Sequence, residues 1–140
     1  MIRKIYLLLF YILFVFNSNL LSNEKNNTLK VGLLAPLSGP YSQIGYSLLY
    51  SLQLALSEIN DDNVIIVPRD TGSNNKEKLS LALDEFRSSG IKIIIGPVSF
   101  DEFEQVKKYN DLTFISLSNL QSEFSKNVIS IGVSLESQLI

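Results

Sequence analysis

The chain contains no cysteine and no histidine. The first absence removes disulfides and thiolate nucleophiles. The two together remove Cys/His zinc sites, and the second removes imidazole acid–base chemistry. A serine nucleophile would have to lean on a lysine or a carboxylate, and no Gly-x-Ser-x-Gly elbow presents one. Gly39 and Gly45 stand six apart with no Gly-Lys-Ser/Thr after them, and there is no Gly-x-Gly-x-x-Gly run, so phosphate-loop and dinucleotide motifs are both missing. No metal ligand set and no cofactor motif is read. A basic stripe is also lacking. Arg3 and Lys4 precede every acidic residue, and from Asn23 onward 10 basic residues face 14 acidic ones, a balance of −4 that argues against nucleic acid as a partner.

What the chain does have begins at its amino end. Arg3 and Lys4 lead into an unbroken apolar run over residues 5–16, followed by Asn17, Ser18, Asn19 and Ser22. That order reads as a secretory signal peptide over residues 1–22, cleaved after Ser22, with a short polar leader over 23–28. Twelve apolar residues are too few to span a bilayer comfortably, so contact with the membrane is expected only through the export signal. An uncleaved anchor is the alternative. Without cysteine there is no lipid attachment at a mature amino-terminal thiol, which predicts a periplasmic protein that is not a lipoprotein.

The next stretch, LKVGLLAPLSGPYSQIGYSLLYSLQLALSEIN over residues 29–60, organises the rest. An apolar strand enters a Pro/Ser/Gly loop and then a long helix, with Leu48, Leu49, Leu52, Ala55, Leu56 and Ile59 at the spacing of one face. Pro40 and Ser42 supply start chemistry for that helix. A β-branched run at 64–67 predicts a second strand, and 76–89 a helix with Leu79, Ala82, Leu83 and Phe86 inward and Gly90 as its stop. Residues 91–95 predict a third strand covered on both faces. Ser99 caps a helix running to about Tyr109, with Phe100, Phe103 and Val106 inward. Strands at 113–117 and 128–131 and a helix beginning at Ser134 complete the pattern. Strands alternating with helices predict an α/β three-layer sandwich with a mostly parallel sheet. The last helix has no stop signal, so 29–140 is expected to be a partial domain, one lobe of a longer protein.

Four loops gather at the carboxyl edge of such a sheet, over residues 36–42, 69–75, 96–100 and 116–122. They are rich in hydroxyls, amides and backbone N–H groups, which suits holding a polar ligand better than breaking bonds. No residue is assigned a catalytic role; a hydrolase would have to use Asp70 or Ser99. Asp61 with Asp62, and Asp84 with Glu85, read as solvated acids, and Asp101, Glu102 and Glu104 as acids complementing a helix start. The plainer reading of Asp70 is that its carboxylate accepts loop N–H bonds and fixes the turn, with Gly39 and Gly96 shaping the neighbouring loops. Arg69 is expected to pair with Asp70 or to reach a partner.

VGLLAPLSGPYSQIG, then PRDTG, SGIKIIIGPVS and FISLSN, in that order, resemble the type I periplasmic binding proteins of the leucine/isoleucine/valine-binding kind. PRDTG after the second strand, IIIGPV and ISLSN are most similar to the penicillin-binding protein activator branch. The resemblance implies two α/β lobes around a hinge, of which this chain supplies the first. In the activator branch it implies a non-enzymatic protein working through a peptidoglycan synthase. In the receptor branch it implies a small polar ligand such as an amino acid, delivered to an ABC permease. Its implied ligand contacts are Ser99 after the third strand, and Ser116 and Ser118 after the fourth; Ser38 in the first loop is a further candidate. Ile44 stands where receptors often carry an aromatic residue, and Glu136 only approaches the position of the acid that grips a ligand amine. Both departures favour the activator branch.

Overall fold

The computed structural model describes residues 28–117 and 125–131. The expected signal peptide, the helix from Ser134, Glu136 and Ser118 lie outside these residues. The described elements are β1 (Leu29–Ala35), α1 (Ser42–Ile59), β2 (Val64–Asp70), α2 (Lys76–Ser88), β3 (Ile93–Ile95), α3 (Phe100–Val106), β4 (Thr113–Ser116) and β5 (Val128–Ser130). Among the described residues no helix is long and apolar enough to cross a membrane.

The five strands form one parallel sheet in the order β2-β1-β3-β4-β5. The chain steps outward from β1 to β2, then returns past β1 and proceeds in the other direction. Right-handed crossovers therefore put α1 on one face and α2 and α3 on the other. The reversal also creates a switch point between the carboxyl ends of β1 and β3. β2 runs three residues beyond the β-branched stretch, through Pro68, which pairs in register with Leu33. It is an edge strand, where the missing proline N–H costs no ladder bond.

The α2/α3 face holds the core. Leu79, Ala82, Leu83 and Phe86 of α2 meet Leu34, Ile94 and Phe114 from three strands and Val106 from α3. Burying Phe86 alone contributes about 2–3 kcal/mol. α2 starts on Asn75, whose side chain accepts the N–H groups of Glu77 and Lys78. It ends where Ile91 N–H donates to Phe86 carbonyl at 2.9 Å and Gly90 N–H to Arg87 carbonyl at 3.0 Å. This is a Schellman closure, with Phe86 and Ile91 supplying its apolar contact.

α1 differs from its expected face. Leu48, Leu49, Leu52 and Leu56 are half-buried, but Ala55 is exposed and Ile59 is 67% exposed. Tyr46, Tyr50 and Leu54 form a second apolar stripe turned to solvent, with the two tyrosine rings stacked 6.3 Å apart. Apolar residues on more than one side blur the single-face spacing. The helix start is also corrected: the residue before α1 is Tyr41, without a side-chain cap, and Ser42 is already helical. β3 begins two residues later than expected, and α3 ends at Val106 rather than near Tyr109.

Candidate functional site

Three of the four expected carboxyl-edge loops lie within the described residues, and Asp70 ties two of them together. It is the last residue of β2 and pairs in register with Ala35, the last residue of β1. One carboxylate oxygen accepts Leu37 N–H at 2.8 Å, Ser38 N–H at 3.0 Å and Gly72 N–H at 2.8 Å. The other accepts the Ser38 hydroxyl at 2.6 Å and the Lys78 ammonium at 2.9 Å. Lys78 also donates to Ser38 Oγ at 3.0 Å, and the Ser73 hydroxyl donates to Ser38 carbonyl at 2.7 Å. Burial pushes the Asp70 carboxyl up. The side-chain bonds from Ser38 and Lys78 and the Gly72 and Leu37 N–H groups outweigh it and hold the group well below the usual carboxylate range. Arg69 does not pair with Asp70. It turns the other way and bonds Glu85 on α2, because alternate residues of a strand face opposite sides.

A second cluster joins the β2 and β3 loops. Ser99 is the N-cap of α3, its hydroxyl oxygen accepting Glu102 N–H at 3.3 Å. The same hydroxyl donates to Asn74 Oδ1 at 2.7 Å. Glu102 Oε1 in turn accepts Asn74 N–H at 3.0 Å, while Glu102 Oε2 is buried without a partner. Thr71 Oγ1 shares that condition. Ser99→Ala removes the cap and is expected to lower the unfolding free energy by about 1 kcal/mol, with Ser99→Thr recovering most of it, as read from urea midpoints.

Between these clusters lies a half-open cavity of about 210 Å3 at the β1/β3 switch point. Pro36, Tyr41 and Ile44 wall it from the first loop and α1, Val98 and Ser99 from the third loop. Ser73, Asn74 and Glu102 complete it. Its exposed wall is almost wholly carbon.

The expected ligand residues are therefore not brought together as one grip. Ser38 belongs to the Asp70 cluster, with Gly39 in the same loop. Ser99 lines the cavity, but its hydroxyl is engaged. Ser116 is buried at the end of β4, in register with Ser130 and outside the cavity wall, and its carbonyl accepts Ile131 N–H at 3.0 Å. Gly96 closes β3 against β4, donating its N–H to Ile115 carbonyl at 2.8 Å. Two contacts were missed. Glu102 lies in the first turn of α3, as read, but it is buried, and Ser99, Glu102, Phe103 and Val106 follow the i, i+3, i+4, i+7 spacing that faces a core. Lys78 reaches Asp70 only because the turn over residues 71–75 folds α2 back onto β2. Among the described residues no group of three or more acidic side chains is placed to hold a metal.

The family model described as periplasmic binding protein matches residues 28–139. No curated protein matches the sequence. Among solved structures, the chain is similar to the C-domain of LpoA from Haemophilus influenzae, a regulator of PBP1A, at 20% identity with a TM-score of 0.63, covering 75% of this chain and 33% of that one. It is similar to an ABC-type branched-chain amino acid transporter protein from Rhodopseudomonas palustris at 18% identity and TM-score 0.65, covering 76% and 33%. A solute-binding protein from R. palustris in complex with 4-hydroxybenzoate gives 20% identity and TM-score 0.66, covering 73% and 31%. At these identities the likeness is one of fold, and the chain spans about a third of each of those proteins.

Proposed function

Since the chain belongs to the periplasmic binding protein family, we propose that it forms the first lobe of an exported, non-catalytic protein of the penicillin-binding protein activator type. It would act by contact with a peptidoglycan synthase. The observation that carries this reading is the state of the hydroxyls at the sheet edge. Ser38 is bonded to Asp70 and Lys78, and Ser99 to Asn74 and the α3 backbone. A receptor that holds an amino-acid carboxylate by hydrogen bonds needs such donors for the ligand. Displacing them from partners already at 2.6 and 2.7 Å would cost about as much as the new bonds return. The likeness to the LpoA C-domain is one of fold and is shared with the ABC solute-binding proteins, so the branch is argued from the site. Non-catalytic action fits a site whose best-placed acid, Asp70, is held ionised by five donors and has little basicity left for proton transfer.

A second reading, the receptor of an ABC transporter, is favoured by one feature: the apolar cavity lies at the switch point where open α/β sheets bind ligands. Two measurements separate the readings. The purified protein is expected to raise the rate of its cell's peptidoglycan synthase severalfold in a glycan polymerisation assay. Its melting temperature should stay unchanged in leucine and other amino acids. A synthase rate that does not change, with a rise of several degrees on adding an amino acid, would establish the receptor instead, since a ligand at about 100 times its Kd stabilises by about 2.7 kcal/mol.

A further inference from the structure

We infer that the amino edge of the sheet carries an anion site, a cavity between β1, β3 and the end of α2 in which Lys30 and Lys92 hold the phosphate group of a small ester. It lies at the opposite edge of the sheet from the ligand loops and holds with either reading of the function.

Register sets the charge. β1 and β3 pair in parallel from Val31 and Ile93, so Lys30 and Lys92 stand side by side one residue earlier. Two residues further on, Gly32 and Ile94 face Phe86 of α2. Alternate residues of a strand share a face, so both lysines rise on the α2 side, from backbones about 4.8 Å apart. Like charges facing each other across neighbouring strands are destabilising. Both side chains are exposed, and among the described residues neither ammonium makes a hydrogen bond or an ion pair. Asp111 acts on Lys92 only through space, because Arg87 holds both of its carboxylate oxygens. The end of α2 does not neutralise the pair either. Its Glu85, Phe86 and Arg87 carbonyls already accept the Ser89, Ile91 and Gly90 N–H groups, which leaves little of the negative pole that a helix end offers to cations.

The cavity sets the ligand. At about 380 Å3 it exceeds twice the roughly 150 Å3 that holds benzene in an engineered cavity, room for a phosphate and one small ring. Ser89 and Thr28 add hydroxyl-bearing residues to the lining, and Leu29 and Ile93 add carbon for an organic body. Gly90 leaves its side open, since a Cβ there would meet nothing within 4 Å. A phosphate ester is a dianion above about pH 7. It matches two ammoniums in charge and accepts charge-assisted bonds from both at once, where a carboxylate brings one charge.

Titration of the isotope-labelled full chain with phenyl phosphate, inorganic phosphate and benzoate, at fixed ionic strength and about pH 8, tests this by amide chemical shifts. Phenyl phosphate is expected to give saturable shifts at Lys30, Gly90 and Lys92, inorganic phosphate the same shifts at higher concentration, and benzoate none. Lys30→Gln and Lys92→Gln should each weaken phenyl phosphate about tenfold, about 1.4 kcal/mol. Lys108→Gln, outside the cavity, should leave it unchanged. Both cavity lysines are exposed, so the variants keep the fold. No saturable shift with either phosphate, benzoate matching phenyl phosphate, or Lys108→Gln weakening binding as much as Lys92→Gln would each overturn the proposal. Co-sedimentation with phosphatidylcholine vesicles, with and without phosphatidic acid, separates the sources of the phosphate. Capture by phosphatidic acid that Lys92→Gln abolishes identifies a lipid headgroup, and phenyl phosphate binding without capture identifies a soluble ester. The synthase assay reads the activator proposal separately.

Discussion

Replacing Asp70 by alanine is expected to lower the unfolding free energy by about 4 kcal/mol. The loss comes less from the bonds themselves than from what remains. Leu37, Ser38 and Gly72 N–H groups now point at the one carboxylate oxygen and would be left in a part-buried site without an acceptor, at about 1–3 kcal/mol each before relaxation. Asp70→Asn keeps an amide oxygen for these donors but loses the charge that meets Lys78, and should cost about half as much. Lys78→Ala, which removes a half-exposed partner, should cost less than about 1 kcal/mol. Guanidinium denaturation of the three variants gives the order, and an Asp70→Ala protein as stable as Lys78→Ala would refute it.

The same group predicts the acid behaviour. Its folded-state pKa is depressed, so its stabilisation is complete above the unfolded-state value of about 3.9 and is lost as pH falls toward the lower folded value. The unaltered protein should therefore lose stability more steeply than Asp70→Asn below about pH 5, and the gap between them should close in acid. Asp111, also held low by Arg87, is present in both proteins and cancels in the comparison.

How far the sequence reveals this arrangement depends on how local each signal is. The α2 face of Leu79, Ala82, Leu83 and Phe86 was legible because, apart from the exposed Leu81, polar residues fill the other sides of that helix. α1 was only half legible, since Tyr46, Tyr50 and Leu54 add a stripe with the same apolar composition as its inward face. Asp70 was legible as a turn acid from its place between a β-branched strand and Thr71-Gly72. Its bonds to Leu37 and Ser38 arise from residues more than 30 positions away, brought near by the β1/β2 register. Glu102 was legible as a first-turn acid, and its burial was signalled only by its phase with Phe103 and Val106. The place of the cavity was legible, since Pro36, Tyr41, Ser73, Asn74, Val98 and Ser99 fall in three of the loops expected at the carboxyl edge, but its apolar wall and the parts of Ile44 and Glu102 in it were not.

The sheet topology makes Gly96 the other position of large effect. Gly96→Ala is expected to destabilise by about 4 kcal/mol, from two separable causes. Gly96 has φ of +107°, a region that strains a residue bearing a Cβ by about 1–3 kcal/mol. An added Cβ would also lie 2.2 Å from Leu34 carbonyl oxygen and 3.1 Å from its carbon, in backbone that cannot move without parting β1 from β3. Such overpacking adds about 1–3 kcal/mol. Gly90→Ala supplies the control. It shares the positive φ, at +73°, but its Cβ would meet nothing within 4 Å, so it should cost only about 1–2 kcal/mol of backbone strain. The difference between the two variants isolates the close approach of β1 and β3 at the switch point. Equal urea midpoints for Gly96→Ala and Gly90→Ala would show that Leu34 yields and that the strand ends are not rigid. A gap of about 2 kcal/mol would mean that the walls carrying Pro36 and Val98 are held at a fixed separation, as a preformed cavity requires.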